Sequence, residues 1–251
     1  MRILLSSDWH LDWYTGGFPR FFDVTQSAHA VVRLAIRERC DGFVFLGDLA
    51  NPGARAHRCS AFAIEVASDL DRAGIWSRWL VGNHDTVEDG TGASTLTPLA
   101  SHAFTLSKES VRFPKPVDVW SDPRVEALGE GVVAVALPHP SQGKLYTPDD
   151  FIRNVSYSEL PGERRRVLVF GHLTVPGIDP GSETKDMPRG RAVRYPIEAI
   201  RERWGDAAIL FNGHYHRLQK RAQGPVIVPG TLERLTKGEA SNTPHCLIVE
   251  T

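Results

Sequence analysis

The 251-residue sequence predicts an α/β fold with a second sheet packed on the first, and three observations carry that prediction. Short runs rich in Val, Ile, Leu and Phe recur along the chain and are mostly continuous rather than alternating, as in strands buried on both faces. Patterns with helical spacing separate the early runs, which implies parallel pairing. From about residue 132 the runs follow one another more closely with fewer helical patterns between them, which points to the second sheet.

Taken in order, residues 3–5 form the first strand. Residues 24–39 carry Val24, Ala28, Val31, Leu34 and Ala35 on one helical face, with Gly42 close behind as a stop signal. Residues 43–46 form the second strand, 54–73 a helix with Phe62, Val66 and Leu70 inward and Gly74 as its stop, and 79–81 the third strand. The stretch 86–123 is polar, with Gly, Ser, Thr and Pro scattered through it, and reads as a mostly surface-running excursion of a length that usually has a function. Strands at 132–137, 167–170, 209–211, 226–228 and 246–249 follow. Residues 177–194 mix charges without periodicity, but neither they nor the earlier excursion divide the chain, so a single domain over 1–251 is expected.

Composition excludes several classes. Apolar residues make up 41% and charged residues 24%, an ordinary globular balance. A formal net charge of -1 leaves no general basic field to hold nucleic acid, although a local basic patch stays open. Cys40, Cys59 and Cys246 form no CxxC pair and are odd in number, which argues against a disulfide framework and for a reducing compartment. The N-terminal apolar run is too short for a signal-peptide core, and no stretch reaches the ~20 apolar residues that span a bilayer. A cytoplasmic location without membrane contact is therefore expected.

The functional signal lies in what ends the runs. "ILLSSD" closes on Asp8 with His10 just after, "FVFLGD" on Asp48, and "RWLVGNHD" on Asn83, His84 and Asp85. "VLVFGH" ends at His172, and "AILFNGHYH" at His214 and His216. In five places an apolar run is followed within three residues by a metal-capable side chain, and in four of them Gly directly precedes it. Any one of these is more often a cap or turn residue, since Gly-Asp and Gly-Asn are ordinary turn chemistry. Five together, drawn only from Asp, Asn and His, exceed what turn preference produces. Ligands of open α/β sheets gather at the carboxyl ends of strands, so strands running the same way bring these residues into one cluster. Asp8 and His10, at i and i+2 of an extended segment, emerge on one side and reach one ion.

The ordered set Asp8-x-His10, Gly47-Asp48, Gly82-Asn83-His84-Asp85, Gly171-His172 and Gly213-His214-x-His216 resembles the calcineurin-like metallophosphoesterase superfamily over most of the chain. The resemblance implies a four-layer αββα sandwich of two packed mixed sheets with a dinuclear metal centre at the strand ends. Carried over motif by motif, it gives Asp8, His10 and His216 to one ion, Asn83, His172 and His214 to the other, and Asp48 to a bridge between them. It also implies hydrolysis of phosphoester bonds, and two ions ~3.5–4 Å apart suit a bridging hydroxide and a clamped phosphoryl group. "SSDWHL", "GHLTVPG" and "VPGTLERLTKGE" look most like the superfamily's bacterial and archaeal DNA-repair exonuclease branch. A nuclease-like phosphodiesterase is thus the leading expectation. The alternative is a phosphodiesterase or phosphatase of cyclic or other small nucleotides, and a non-catalytic scaffold is remote. Members of that branch carry a capping domain and a segment that binds a coiled-coil ATPase; with Thr251 ending the sequence, neither is expected here.

Imidazoles with few oxygens suit manganese, iron or zinc better than calcium, and two divalent ions, with manganese preferred, are the expected cofactors. His84, beside a ligand, is the candidate proton donor to the leaving oxygen; the alternative is a hydrogen bonder that touches no substrate. Where relatives carry Asp or His three residues after the bridging carboxylate, this chain has Asn51, an amide that orients an imidazole without stabilising its charge. Asp12 and Asp85 either orient ligating histidines or cap turns. Trp9, Trp13, Tyr14, Phe18, Phe21 and Phe22 either stack a base at the site mouth or pack internally. Arg189, Arg191 and Arg194 follow His172 and are candidates for substrate phosphates. Arg164, Arg165 and Arg166 read as a solvated edge, and His29, His57, His102, His139 and His245 as structural.

Overall fold

A computed structural model describes residues 1–87, 89, 91–109 (the side chains of 104–109 excepted), 114–129, 131–140, 146–155, 166–181, 193–221 and 225–251. The chain opens with β1 (Arg2–Ser6), a short hairpin of β2 (Tyr14–Thr15) and β3 (Phe18–Pro19), then α1 (Phe21–Arg37), β4 (Gly42–Phe45), α2 (Ala56–Arg72) and β5 (Trp76–Leu80). It continues through α3 (Thr97–Glu109), β6 (Val117–Trp120), β7 (Arg124–Gly129), β8 (Val132–Leu137), α4 (Pro148–Asn154) and β9 (Arg166–Gly171). The last elements are α5 (Ile197–Trp204), β10 (Ala208–Asn212), β11 (Gln219–Lys220), β12 (Val226–Val228) and β13 (Leu247–Glu250).

Two mixed sheets result, ordered β13-β1-β4-β5-β6 and β11-β12-β10-β9-β8-β7. In each the central strands are parallel, and antiparallel β13, β11 and β7 sit at edges. Alternation of side chains explains why the strands read as continuous apolar runs. Phe43 and Phe45 face α1 and α2, whereas Val44 and Leu46 point into the space between the sheets. Along β9, Leu168 and Phe170 enter that same space, and Val167 and Val169 face Ile197 and Ile200 of α5. Three apolar layers thus lie between four layers of structure, the αββα sandwich.

The predicted strands and the two predicted helices are all present, within three residues of their expected bounds. Two expectations need correction. The stretch 86–123 is not simply a surface excursion: it contains α3 and β6, and Leu96, Leu99 and Ala103 at helical spacing are buried against the α1–α2 layer. Its other residues are polar enough to hide that stripe. Gly42 is not a helix stop but the first residue of β4, where a side chain would overlap the Trp76 ring. The left-handed turn that ends α1 is made by Arg39, at φ 52°.

Candidate metal centre

The parallel pairing of β1 with β4 runs on past the strand ends, through Asp8 N–H to the Gly47 carbonyl at 3.0 Å, His10 N–H to Asp48 at 3.1 Å and Leu11 N–H to Leu49 at 2.9 Å. Asp8, His10, Asp48 and His214 all adopt left-handed backbone, with φ of 52°, 43°, 61° and 77°. Such values are uncommon for non-glycine residues, and four of the five among the described residues are candidate ligands. Strain gathered this way marks a functional site, held by the structure around it. Glycine precedes the ligands for reasons of space: a Cβ on Gly47 would strike the His172 ring, and one on Gly82 the Asp48 carboxylate.

Asp8, His10 and His216 bring ligand atoms within 4.8 Å of one another, and so do Asp48, His172 and His214; all six side chains are buried. Asn83 joins the second group, with Oδ1 3.0 Å from His172 Nε2. Asp48 faces both groups, since its Oδ2 lies 3.1 Å from His172 Nε2 and 3.8 Å from His10 Nε2. That oxygen is buried and, among the described residues, accepts no hydrogen bond of good geometry.

Outer contacts fix which nitrogens face inward. His172 Nδ1 donates to the Leu46 carbonyl at 2.6 Å, so the neutral ring turns its Nε2 lone pair toward Asp48 and Asn83. His216 Nδ1 donates to Glu239 Oε1 at 2.9 Å, which leaves its Nε2 lone pair 3.1 Å from His10 Nε2. Acceptors converging without enough protons between them ask for cations. The residues present fit two metal ions on that ground.

Charge responds to the same crowding. Burial opposes charge on His172, but the Asp48 carboxylate beside it, joined by Asp8 and the Leu46 carbonyl, pushes the imidazole up to about 9. Burial works against Asp48 as well, yet His172 and His84 hold it well below the usual carboxylate range. Burial raises Asp8 to about 7, with His172 opposing and Asp48 adding to the rise. In the metal-free protein a proton therefore sits on His172, where a cation would otherwise be held.

Glu239 is a buried carboxylate that nothing in the strand-end pattern singles out. Its two oxygens also accept from Thr236 Oγ1 at 3.1 Å and Leu235 N–H at 2.7 Å, within a capping box. A carboxylate behind a ligating imidazole fixes its tautomer and raises its basicity. Glu239→Gln is expected to weaken metal binding roughly tenfold with the circular dichroism unchanged. Chelator-competition titration checks this, and an affinity within a factor of about two of the wild type would remove Glu239 from the centre.

Among the described residues, Asp85 makes no hydrogen bond to an imidazole. Its carboxylate accepts from the backbone N–H groups of Asp48, Leu49 and Gly82, each at 2.9 Å, and from Thr95 Oγ1 at 2.6 Å, tying the loops after β4 and β5 together. Burial, with Asp48 adding, raises it to about 6. His84 is half-buried, its ring 4.9 Å from the His10 ring and its Nδ1 2.8 Å from Asn51 Oδ1. Asp12 accepts from the Asn51 backbone and side chain, both at 3.1 Å.

Of the six aromatics, Trp9 is core, packed among Phe43, Phe45, Phe62 and Trp79, while Phe18 and Phe22 are exposed. Arg194 is exposed and pairs through its backbone with Thr174, just beyond His172; Arg189 and Arg191 lie outside the described residues, as do Arg164 and Arg165. His139, expected to be structural, follows β8 as the ligands follow their strands. Burial, with His172 adding, lowers it to about 4. Its backbone N–H bonds the Val81 carbonyl at 2.9 Å, beside the Gly82-Asn83 turn.

Residues 1–218 match the family model described as calcineurin-like phosphoesterase. The whole chain is 26% identical, over 271 aligned residues, to a protein of Bacillus subtilis (strain 168) named as a subunit of the nuclease SbcCD, and spans 66% of that relative, just under two thirds. A dimetal phosphatase from Danio rerio has a similar structure, with a TM-score of 0.55, 13% identity, and 99% of this chain and 91% of that one covered. The protein TT1561 of Thermus thermophilus gives a TM-score of 0.51 at 12% identity, covering 92% of this chain and 89% of its own. At such identities these two structures speak to the fold alone.

Proposed function

The chain belongs to the calcineurin-like phosphoesterase family, and from that premise we propose that it hydrolyses phosphodiester bonds at a two-metal centre, with nucleic acid as its leading substrate class. The observation that carries this reading is Asp48, a buried carboxylate placed between two groups of buried ligands. Asp8, His10 and His216 would hold one ion, Asn83, His172 and His214 the other, and Asp48 both. Manganese is the proposed metal, for a donor set of imidazoles and few oxygens. When bound, the pair of ions supplies Lewis-acid charge for a phosphoryl group and water activated near neutral pH.

The chain's own residues do the rest. Glu239 and the Leu46 carbonyl hold two imidazoles in their ligating tautomers. Asp85 fixes the backbone that carries Asp48, Gly82 and Asn83, so the ligands need no rearrangement. His84 presents its imidazole to the leaving oxygen. The similarity to a protein named as part of a nuclease supports the choice of nucleic acid. A net charge of -1 supplies no broad field for duplex DNA, which favours single strands or, as the second reading, cyclic and other small nucleotides.

Turnover of bis-p-nitrophenyl phosphate is expected to equal or exceed that of p-nitrophenyl phosphate, because the Gly47-Asp48 block lacks the following Asp-Arg pair of dedicated monoester phosphatases. A panel adding cyclic nucleotides and labelled single- and double-stranded DNA checks this. Much faster monoester turnover would overturn the diester assignment.

A further inference from the structure

We propose that Asp12, acting through Asn51, is a positioning residue that fixes the proton of His84 on Nδ1. The Asp12 carboxylate accepts the Asn51 backbone N–H with Oδ1 and the Asn51 side-chain amide with Oδ2, both at 3.1 Å. A carboxylate offers no proton, so the nitrogen end of the amide must be the one facing Asp12. Asn51 Oδ1 then lies 2.8 Å from His84 Nδ1. A carbonyl oxygen only accepts, so Nδ1 carries the proton and the neutral ring keeps its lone pair on Nε2. One fixed acceptor at the end of the row thus decides both an amide orientation and a histidine tautomer.

The row follows strand order across the sheet edge. Asp12 lies beyond β1, Asn51 beyond β4 and His84 beyond β5, which are neighbours in the sheet. Backbone bonds hold its members on the other side: Leu11 N–H reaches the Leu49 carbonyl at 2.9 Å, and His84 N–H reaches Asp48 Oδ1 at 2.9 Å. The imidazole is pinned through its backbone by a candidate bridging carboxylate and through its ring by Asn51, which turns the Nε2 edge away from Asn51. An interposed amide passes on the orientation set by the carboxylate without placing its charge against the ring. Asn51 is therefore a coupler rather than a weakened copy of an acidic partner. The proposal rests on the reading of His84 as the residue that meets the substrate.

The test is a long-range 1H–15N correlation spectrum of the histidine side chains in the full chain loaded with zinc, which is diamagnetic, with His84 assigned by its loss in His84→Gln. The wild type is expected to show His84 as the Nδ1–H form alone. In Asp12→Asn the Asn51 backbone N–H keeps the new amide's oxygen opposite it, so its nitrogen faces the Asn51 side chain, Asn51 flips, and His84 shifts to the Nε2–H form. Metal content should hold and kcat on bis-p-nitrophenyl phosphate should fall by less than in His84→Gln, roughly tenfold, with little change in KM. The double variant Asp12→Asn/Asn51→Asp reverses amide and carboxylate and should restore the single Nδ1–H form. Asn51→Ala, which removes the coupler and leaves Asp12 intact, should give a mixture of the two tautomers. The spectrum needs no substrate, so it decides the tautomer whether or not the diester assignment holds. An Nε2–H form in the wild type, or an undisturbed Nδ1–H form in both Asp12→Asn and Asn51→Ala, would overturn the proposal.

Discussion

The Asp48→Asn variant is expected to lose metal and hydrolysis together, with turnover falling to the buffer rate. Asp48 is the carboxylate that faces both ligand groups, and its Oδ2 is the atom between His172 Nε2 and His10 Nε2. An amide in its place presents N–H hydrogens to those imidazoles where a cation would sit, and removes the negative charge that offsets two ions. The other oxygen still accepts from His84 N–H, so the loop geometry should survive. Circular dichroism should match the wild type while elemental analysis after manganese reconstitution shows the loss. Full metal content, or a rate within about tenfold of the wild type, would show that Asp48 is not the bridge.

His84→Gln should separate chemistry from metal binding at the adjacent position. No atom of His84 is assigned to an ion, so both metals should stay bound. Its rate should still fall by roughly 10²–10⁴, the range for a lost proton donor. The lower end is expected, because Asn51 contacts the ring as a neutral amide and does not stabilise the imidazolium by charge. p-Nitrophenolate needs little protonation, so bis-p-nitrophenyl phosphate should show a smaller fall than a dinucleotide with an alkoxide leaving group. If this variant loses metal as Asp48→Asn does, His84 is part of the ligand framework and the general-acid role is wrong.

The strands and the ligand blocks are legible in sequence for related reasons. Burial on both faces writes β1, β4, β8, β9 and β10 as unbroken apolar runs, and a polar Asp, Asn or His directly after such a run stands out. Helix α3 is not legible, because the buried stripe formed by Leu96 just before it and by Leu99 and Ala103 within it is sparse and set among polar residues. Glu239 sits 23 residues beyond His216, at the end of the block "VPGTLERLTKGE", whose resemblance assigns it no role at the metals. Its place behind an imidazole depends on tertiary folding. His139 is within reach of the rule that finds the ligands, since it follows the run 132–137 by two residues, but Pro138 in place of Gly masks the likeness. The Asp12–Asn51–His84 row is a matter of which strands are neighbours, and no local pattern specifies that.

Calorimetric titration of manganese into the metal-free chain at neutral pH distinguishes a dinuclear centre from a single-ion site. His172, held near 9 by Asp48, must give up its proton to bind metal. Repeating the titration in buffers of different ionisation enthalpy should therefore report between one and two protons released, from His172 and from Asp8, which burial raises to about 7. The expected result is saturation at two ions per chain with that release. Saturation at one ion or none, in protein that still hydrolyses phosphoesters, would rule out the dinuclear centre.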